Sequence, residues 1–333
     1  MAALSASAVA PGCSRAETTG LFASLLDQAF GEAATLPQLR SMIVARDGAV
    51  VRERVFQGPN LDTPVNIKSA SKSVLSALAG VAIGQGVLSG VDAQIAPLLG
   101  ERVPQDADPR ISEITIEDLL TMRAGLGSTS SRNYGPWVVS EDWVAYALEQ
   151  PFVADPGGRM IYSTGSSHLL STVLTRASGR STLALARDWL GEPLGIEVPP
   201  WTRDPQGVYM GGNQMALSPR ALLKIGELYR NNGVHDGVRV LPDSWVDESW
   251  RPRVRSPWSG GSYGYGWWLG QAGAIRLAYA WGYGGQMIYV APSLGLTAIM
   301  TSDPDARGVD GHVQSLHRLV SRFLVPAAQR GES

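Results

Sequence analysis

Asn66-Ile-Lys-Ser-Ala-Ser-Lys-Ser-Val-Leu-Ser-Ala-Leu-Ala-Gly-Val-Ala-Ile-Gly-Gln-Gly86 is the stretch on which the reading of this chain turns. A turn-prone asparagine leads into a small-residue segment. There Val74, Leu75, Leu78, Val81, Ala82 and Ile83 fall on several sides of a helix, the pattern of an element buried nearly all round. Ser69 at the helix start and Lys72 three residues on project from one face, so hydroxyl and amine can touch. A serine needs a neighbouring base to become a nucleophile, and a desolvated, neutral lysine can be that base. The four-residue pattern is common, and most matches are an N-capping serine followed by a solvated lysine. Two features raise it here. Of the 28 lysines and arginines only Lys68, Lys72 and Lys224 are lysines, and Lys72 interrupts an otherwise apolar helix.

Outward from that helix, composition narrows the class. The 333 residues suffice for one large domain or two interleaved ones with a full core. A formal charge of −2 argues against a nucleic-acid footprint or a basic membrane-surface binder. Cys13 is the single cysteine, which excludes an internal disulfide and a cysteine-based zinc site. The histidines (His168, His235, His312 and His317) are scattered and form no H-E-x-x-H, so no metal or other cofactor is expected. No run approaches the roughly 18 apolar residues of a membrane span.

Residues 1–16 form a separate segment, MAALSASAVAPGC and its continuation. They resemble the end of a secretory signal without its positive start, and Gly12-Cys13 faintly resembles a lipoprotein attachment site. A signal remnant, which favours the bacterial periplasm or secretion over the cytoplasm, and a functionless tail both stay open. A helix is expected from Glu17 to Ala33, then two β-rich runs, Ser41–Arg46 and Ala49–Phe56, around Asp47-Gly48, a strong hairpin signal. From about Ser71 to Arg230 the chain reads as mostly helical, with Thr115 as a helix cap ahead of Glu117 and Asp118. After Gly233 strands return: Ser262–Leu269, Ile275–Ala280, Gln286–Val290 and Leu296–Met300, closed by a helix over Val309–Val325. The expected architecture is α/β (α+β). An antiparallel sheet is built from both termini (residues 17–70 with 231–333) and flanked by helices, with residues 71–230 as an inserted, mostly helical subdomain.

An S-x-x-K helix after an N-terminal hairpin, then a tyrosine motif, then a glycine-rich penultimate strand resembles the plan of the serine β-lactamase and penicillin-binding-protein superfamily. The resemblance is to its class C-like branch: class C β-lactamases, family VIII carboxylesterases and 6-aminohexanoate-dimer hydrolases. It spans about residues 35–325 and is carried further by GQGVLSGVDAQIAPLLG, ITIEDLLTMRAGL, PGGRMIYSTGSSHLLSTVL and SPRALLKIGELYRNNG. It implies a β-lactamase-like fold and an acyl-enzyme with Ser69 as nucleophile. Tyr162-Ser163-Thr164 stands where the branch has Tyr-x-Asn, which implies that Tyr162 shares proton transfer with Lys72. A phenol takes up a serine proton when nearby cations lower its pKa. Thr164 replaces an asparagine that contacts the substrate side arm, and its shorter hydroxyl cannot offer a two-ended amide contact.

Ala280-Trp281-Gly282 aligns with the Lys-Thr-Gly strand, so the lysine that helps bind a β-lactam carboxylate is absent. What the resemblance leaves is backbone chemistry: the N–H groups of Ser69 and Tyr283, following Gly282, as an oxyanion hole. Of the ten tryptophans, most read as packing; Trp281, with Tyr134 in the loop overhanging the cleft, reads as a pocket wall. Gly260-Gly261-Ser262-Tyr263-Gly264 matches G-x-S-x-G, with Asp303 and His312 after it. That motif needs a strand before and a helix after the serine, and the flanking residues supply neither. The expected function is hydrolysis of a small-molecule carboxylic ester through an acyl-enzyme. Amide or cyclic-amide hydrolysis is the alternative, and an acylated sensor that does not turn over is a reading of another class. The sequence leaves the oligomeric state open.

Overall fold

The computed structural model describes residues 15–306 and 311–330. The proposed signal remnant lies outside them but for its last two residues, which begin the first helix; so does Val309 at the start of the expected closing helix.

An eight-stranded antiparallel sheet forms the frame. Its strands are β1 (Leu39–Arg46), β2 (Ala49–Val55), β3 (Val254–Arg255), β4 (Ser262–Tyr263), β5 (Trp268–Ala272), β6 (Ile275–Gly282), β7 (Gln286–Ala291) and β8 (Leu296–Ser302). Their order across the sheet is β2-β1-β8-β7-β6-β5-β4-β3, so the N-terminal hairpin is zipped to the C-terminal strands through β1 and β8, with Ile43 opposite Ile299. The hairpin turns at Asp47 (φ 51°) and Gly48 (φ 84°), the paired positive φ values that a two-residue turn requires.

Period-two alternation gives each sheet face its own core. Met42, Val44, Met287, Tyr289, Ala298 and Met300 meet helix α1 (Arg15–Ala33) and the C-terminal helices on the outer face. Ile43, Ala45, Ile288, Val290 and Ile299 belong to the inner core. That core also holds α2 (Ser71–Gly84), α3 (Thr164–Ser178), α4 (Pro219–Arg230) and several shorter helices. Thr115 caps Ile116–Leu120 in a capping box with Asp118, as its position before two acids implies.

Two expected elements differ. Ser262–Leu269 is not one strand but β4 and β5, separated by residues 264–267. Gly266 there has φ 74°, and a Cβ on it would lie 2.7 Å from the Lys72 carbonyl oxygen, so this backbone leaves the ladder to press on the start of α2. The closing helix, α5 (His312–Leu319), continues through a π-turn into Val325–Arg330, beyond the expected end at Val325. Val325 and Ala328 still have a face to bury beside α1.

Candidate active site

Ser69 lies in a single 3₁₀ turn, Lys68–Ala70, immediately before α2. The Asn66 side chain accepts from the Lys68 N–H at 2.9 Å, and Lys68 holds φ 50°, an uncommon left-handed conformation for a non-glycine residue. The helix N-cap is Ala70, and Ser69 makes no capping bond, so its hydroxyl is left to other partners. Lys72 supplies one. Its Nζ stands 3.1 Å from Ser69 Oγ and 2.8 Å from the carbonyl oxygen of Gly212. The lysine is only 3% exposed, and burial lowers its pKa from 10.5 to about 7. A large part of the amine is therefore neutral near pH 7, with a lone pair for the serine proton.

Tyr162 completes the group from the chain preceding α3. Its ring centroid is 4.9 Å from Lys72 Nζ, and its hydroxyl is near enough to Ser69 for that side chain to favour the phenolate. Here the outcome departs from the expected lowered phenol. Burial pushes Tyr162 up to about 12, and the neighbouring Ser69 side chain only partly offsets that. Sequence spacing shows the potential partners but not how dry their surroundings are.

Thr164 is 3% exposed at the first position of α3, and its Oγ1 lies 3.0 Å from Ser130 Oγ, which also accepts the Thr164 N–H at 2.9 Å. Thr129 Oγ1 accepts the Gly165 N–H at 2.7 Å, and Ser128 donates to the Tyr162 carbonyl at 2.6 Å. Ser128, Thr129 and Ser130 thus clamp the start of α3 from a separate loop. Sequence reasoning missed this role, because nothing local marks three hydroxyls as caps for a helix some 34 residues away.

Tyr134 does not join the Ser69 group directly. Its hydroxyl accepts from Asn213 Nδ2 at 3.0 Å and approaches Met210 Sδ at 3.5 Å, bracing the loop whose Gly212 carbonyl holds Lys72. Gly282, at the end of β6, passes so near the Ser69 turn that an added Cβ would stand 2.2 Å from the Ile67 carbonyl. Tyr283 follows it, with its side chain 72% exposed, in a turn completed by Gly284 and Gly285 at positive φ.

Trp281 joins an aromatic cluster around Tyr162. Trp268 stacks on Tyr162 at 6.0 Å and meets Trp281 at 5.7 Å, while Trp258, 67% exposed, stands edge-on to Tyr162 at 6.2 Å. Trp258 was not singled out as a wall by the sequence. Trp267 packs on Tyr229 and Trp201 on Tyr209, away from this cluster. The alternative serine is not assembled into a triad: His312 Nε2 pairs with Ser302 Oγ at 2.9 Å, and Asp303 pairs with Arg40 at 3.1 Å.

A hairpin strand, a buried serine–lysine helix and a C-terminal antiparallel sheet define a β-lactamase-like fold. The chain belongs to the Beta-lactamase family, a family of hydrolases, whose model matches residues 33–319. No curated protein matches it. Among solved structures it is similar to EstCE1, a hydrolase with promiscuous acyltransferase activity. The TM-score is 0.71 at 16% identity, covering 96% of this chain and 99% of that one. It is similar to the octameric penicillin-binding protein homologue from Pyrococcus abyssi, with TM-score 0.70, 18% identity and coverage of 91% and 77%. It is also similar to the D-stereospecific amidohydrolase from Streptomyces sp., with TM-score 0.67, 18% identity and coverage of 88% and 97%. At these identities the likeness is one of fold. Among the described residues no helix is long and apolar enough to cross a membrane.

Proposed function

We propose that this protein is a serine hydrolase that cleaves a small neutral carboxylic ester through an acyl-enzyme. The observation that carries the reading is the buried Lys72 amine, brought to about pKa 7 and placed 3.1 Å from Ser69 Oγ. In the first step the neutral amine takes the Ser69 proton as Oγ bonds to the substrate carbonyl carbon. The N–H groups of Ser69 and Tyr283 receive the developing oxyanion. Collapse of the tetrahedral species breaks the bond to the leaving group. Tyr162, still protonated at neutral pH and a stronger acid than an alkanol, passes a proton to the departing oxygen and is refilled from Lys72. Water, deprotonated by the same amine, then attacks the acyl carbon; the C–Oγ bond breaks, the amine returns its proton to Ser69 Oγ, and the acid leaves.

The ester preference rests on the walls. Trp258 and Trp268 flank Tyr162, and Trp281, which packs against Trp268, stands where the resemblance would put a threonine next to a carboxylate-binding lysine. Arg253, near this cluster in sequence, is held by Glu117 and Glu248. A pocket of this kind suits an uncharged acyl group. Amide hydrolysis, the activity named for the Streptomyces neighbour, uses the same acyl-enzyme and needs only stronger protonation of the leaving nitrogen. The test is covalent labelling. A fluorophosphonate should add one mass increment to the protein, and peptide mapping should place it on Ser69; label on Ser262 would overturn the assignment.

A further inference from the structure

The loop that holds Lys72 is itself held by a pair of buried titratable side chains that the proposed steps do not use. His168 on α3 and Asp204 both have fully buried side chains, with His168 Nε2 at 3.1 Å from Asp204 Oδ2. The other ring nitrogen, Nδ1, faces the N–H of Gly211 at 3.4 Å. A carboxylate only accepts and a backbone N–H only donates, so the two partners select one tautomer: Nε2 carries the proton and Nδ1 offers its lone pair. Gly211 is the neighbour of Gly212, whose carbonyl accepts from Lys72.

The loop has no room to sit otherwise. A Cβ on Gly211 would lie 2.0 Å from the Ser167 carbonyl oxygen, and one on Gly212 would lie 3.0 Å from Lys72 Cγ. Asp204 Oδ1 is occupied by the Val208 N–H at 2.7 Å, which leaves Oδ2 for His168. The rings of Trp137 and Trp143 stand edge-on to His168 at 5.7 and 5.4 Å. The imidazole is therefore fixed in plane as well as in tautomer.

We infer that His168 and Asp204 are positioning residues for the general base: together they seat the Gly211–Gly212 backbone that orients the Lys72 amine towards Ser69 and seals it from water. The inference rests on the reading of Lys72 as base. Titratable contacts are Asp204 for His168, and Tyr162 for Lys72.

Asp204→Asn tests it without changing volume. The amide oxygen must stay with the Val208 N–H, which turns the amide NH₂ towards His168 Nε2. The ring must then accept there and carry its proton on Nδ1, opposing the Gly211 N–H donor. With the seat broken, water reaches Lys72 and its pKa climbs back towards the ordinary lysine value. Per fluorophosphonate-titrated serine, kcat for p-nitrophenyl butyrate should fall on the order of 10- to 100-fold, the scale of a small misplacement of a catalytic group. The acid limb of the kcat–pH profile should move upward. His168→Asn, whose side-chain oxygen can still accept from Gly211, should keep the limb close to wild type. His168→Gln, which reaches Asp204 but leaves Gly211 without an acceptor, should move it, and serves if Asp204→Asn fails to fold.

An unmoved acid limb in the folded Asp204→Asn and His168→Gln proteins overturns the inference, whether or not kcat falls. Lys72→Ala separates the two levels. Wild-type acylation of that variant would sink the base assignment itself, whereas an inactive Lys72→Ala beside a normal Asp204→Asn would sink only the positioning role.

Discussion

Gly282 lies against Ile67 so closely that the smallest side chain would bring a carbon to 2.2 Å from the Ile67 carbonyl oxygen. Ile67 is two residues before Ser69, so this contact sets the spacing between the end of β6 and the Ser69 turn. Gly282→Ala should force them apart, because both sides of the contact are backbone. If the Tyr283 N–H contributes to the oxyanion hole, kcat for p-nitrophenyl butyrate should drop by roughly 10²-fold. Circular dichroism would verify the fold, and unchanged turnover in the folded variant would remove Tyr283 from the site.

Lys72→Ala and Tyr162→Phe should each lower ester turnover by about 10²-fold or more, the usual scale of general acid–base contributions. The phenylalanine ring retains the shape that stacks on Trp268, so the second variant should remain folded. Stopped-flow measurement of acylation and deacylation assigns the step. A folded variant that turns over at the wild-type rate has lost no catalytic group.

The pH profile should discriminate between the two candidate bases. With Lys72 at about 7, acylation should rise through neutrality and level off as the amine becomes neutral. With Tyr162 as the base, pushed up to about 12, the rate would keep climbing into strong alkali. A midpoint near 7 that disappears in Lys72→Ala is the expected result.

Stability carries the same signature with a defined sign. Between about pH 7 and 10.5 the unfolded chain binds a proton at Lys72 that the folded chain does not, so this group makes stability rise with pH across that window. Below it, the destabilisation is fully present. Lys72→Met, which keeps the volume and removes the charge, should raise Tm at pH 6 and gain progressively less towards pH 10. Calorimetry at several pH values measures it; a gain that does not shrink with pH would show that burial of the amine is not its source.

Substrate preference should favour neutral esters over anionic β-lactams. The aligned anchor lysine is replaced by Ala280, and the Thr164 hydroxyl is already engaged by Ser130. A lost hydrogen bond to a charged group costs about 1.5–3 kcal/mol, or at least tenfold in binding or rate. On one preparation at one pH, kcat/KM for p-nitrophenyl acetate or butyrate should exceed that for benzylpenicillin by more than this factor. Equal or faster penicillin turnover would point to a substitute cation, with the exposed Arg132 and Arg276 as the residues to replace first.

What the sequence by itself determined lies within a few bonds or one helical turn. Asp47-Gly48 must turn with positive φ, Thr115 must cap, and a serine three residues before a lysine on one helix must share its face. Each follows from local geometry, and the hairpin, the capped helix and the Ser69–Lys72 contact are all found. The strand pattern at both ends likewise shows a sheet joined across the whole chain, since Ile43 and Ile299 alternate in the same phase as their neighbours. Only the tertiary structure decided the chemical state of the group. The Lys72 amine is brought to about pKa 7 because residues 140 and more positions away remove its water: the Gly212 loop covers it and Gly266 presses on its backbone. The hydroxyl clamp from Ser128 to Ser130, the His168–Asp204 seat and the break between β4 and β5 belong to the same category. Their residues carry no periodicity or spacing of their own, because desolvation and backbone fit arise only when distant segments are brought into contact.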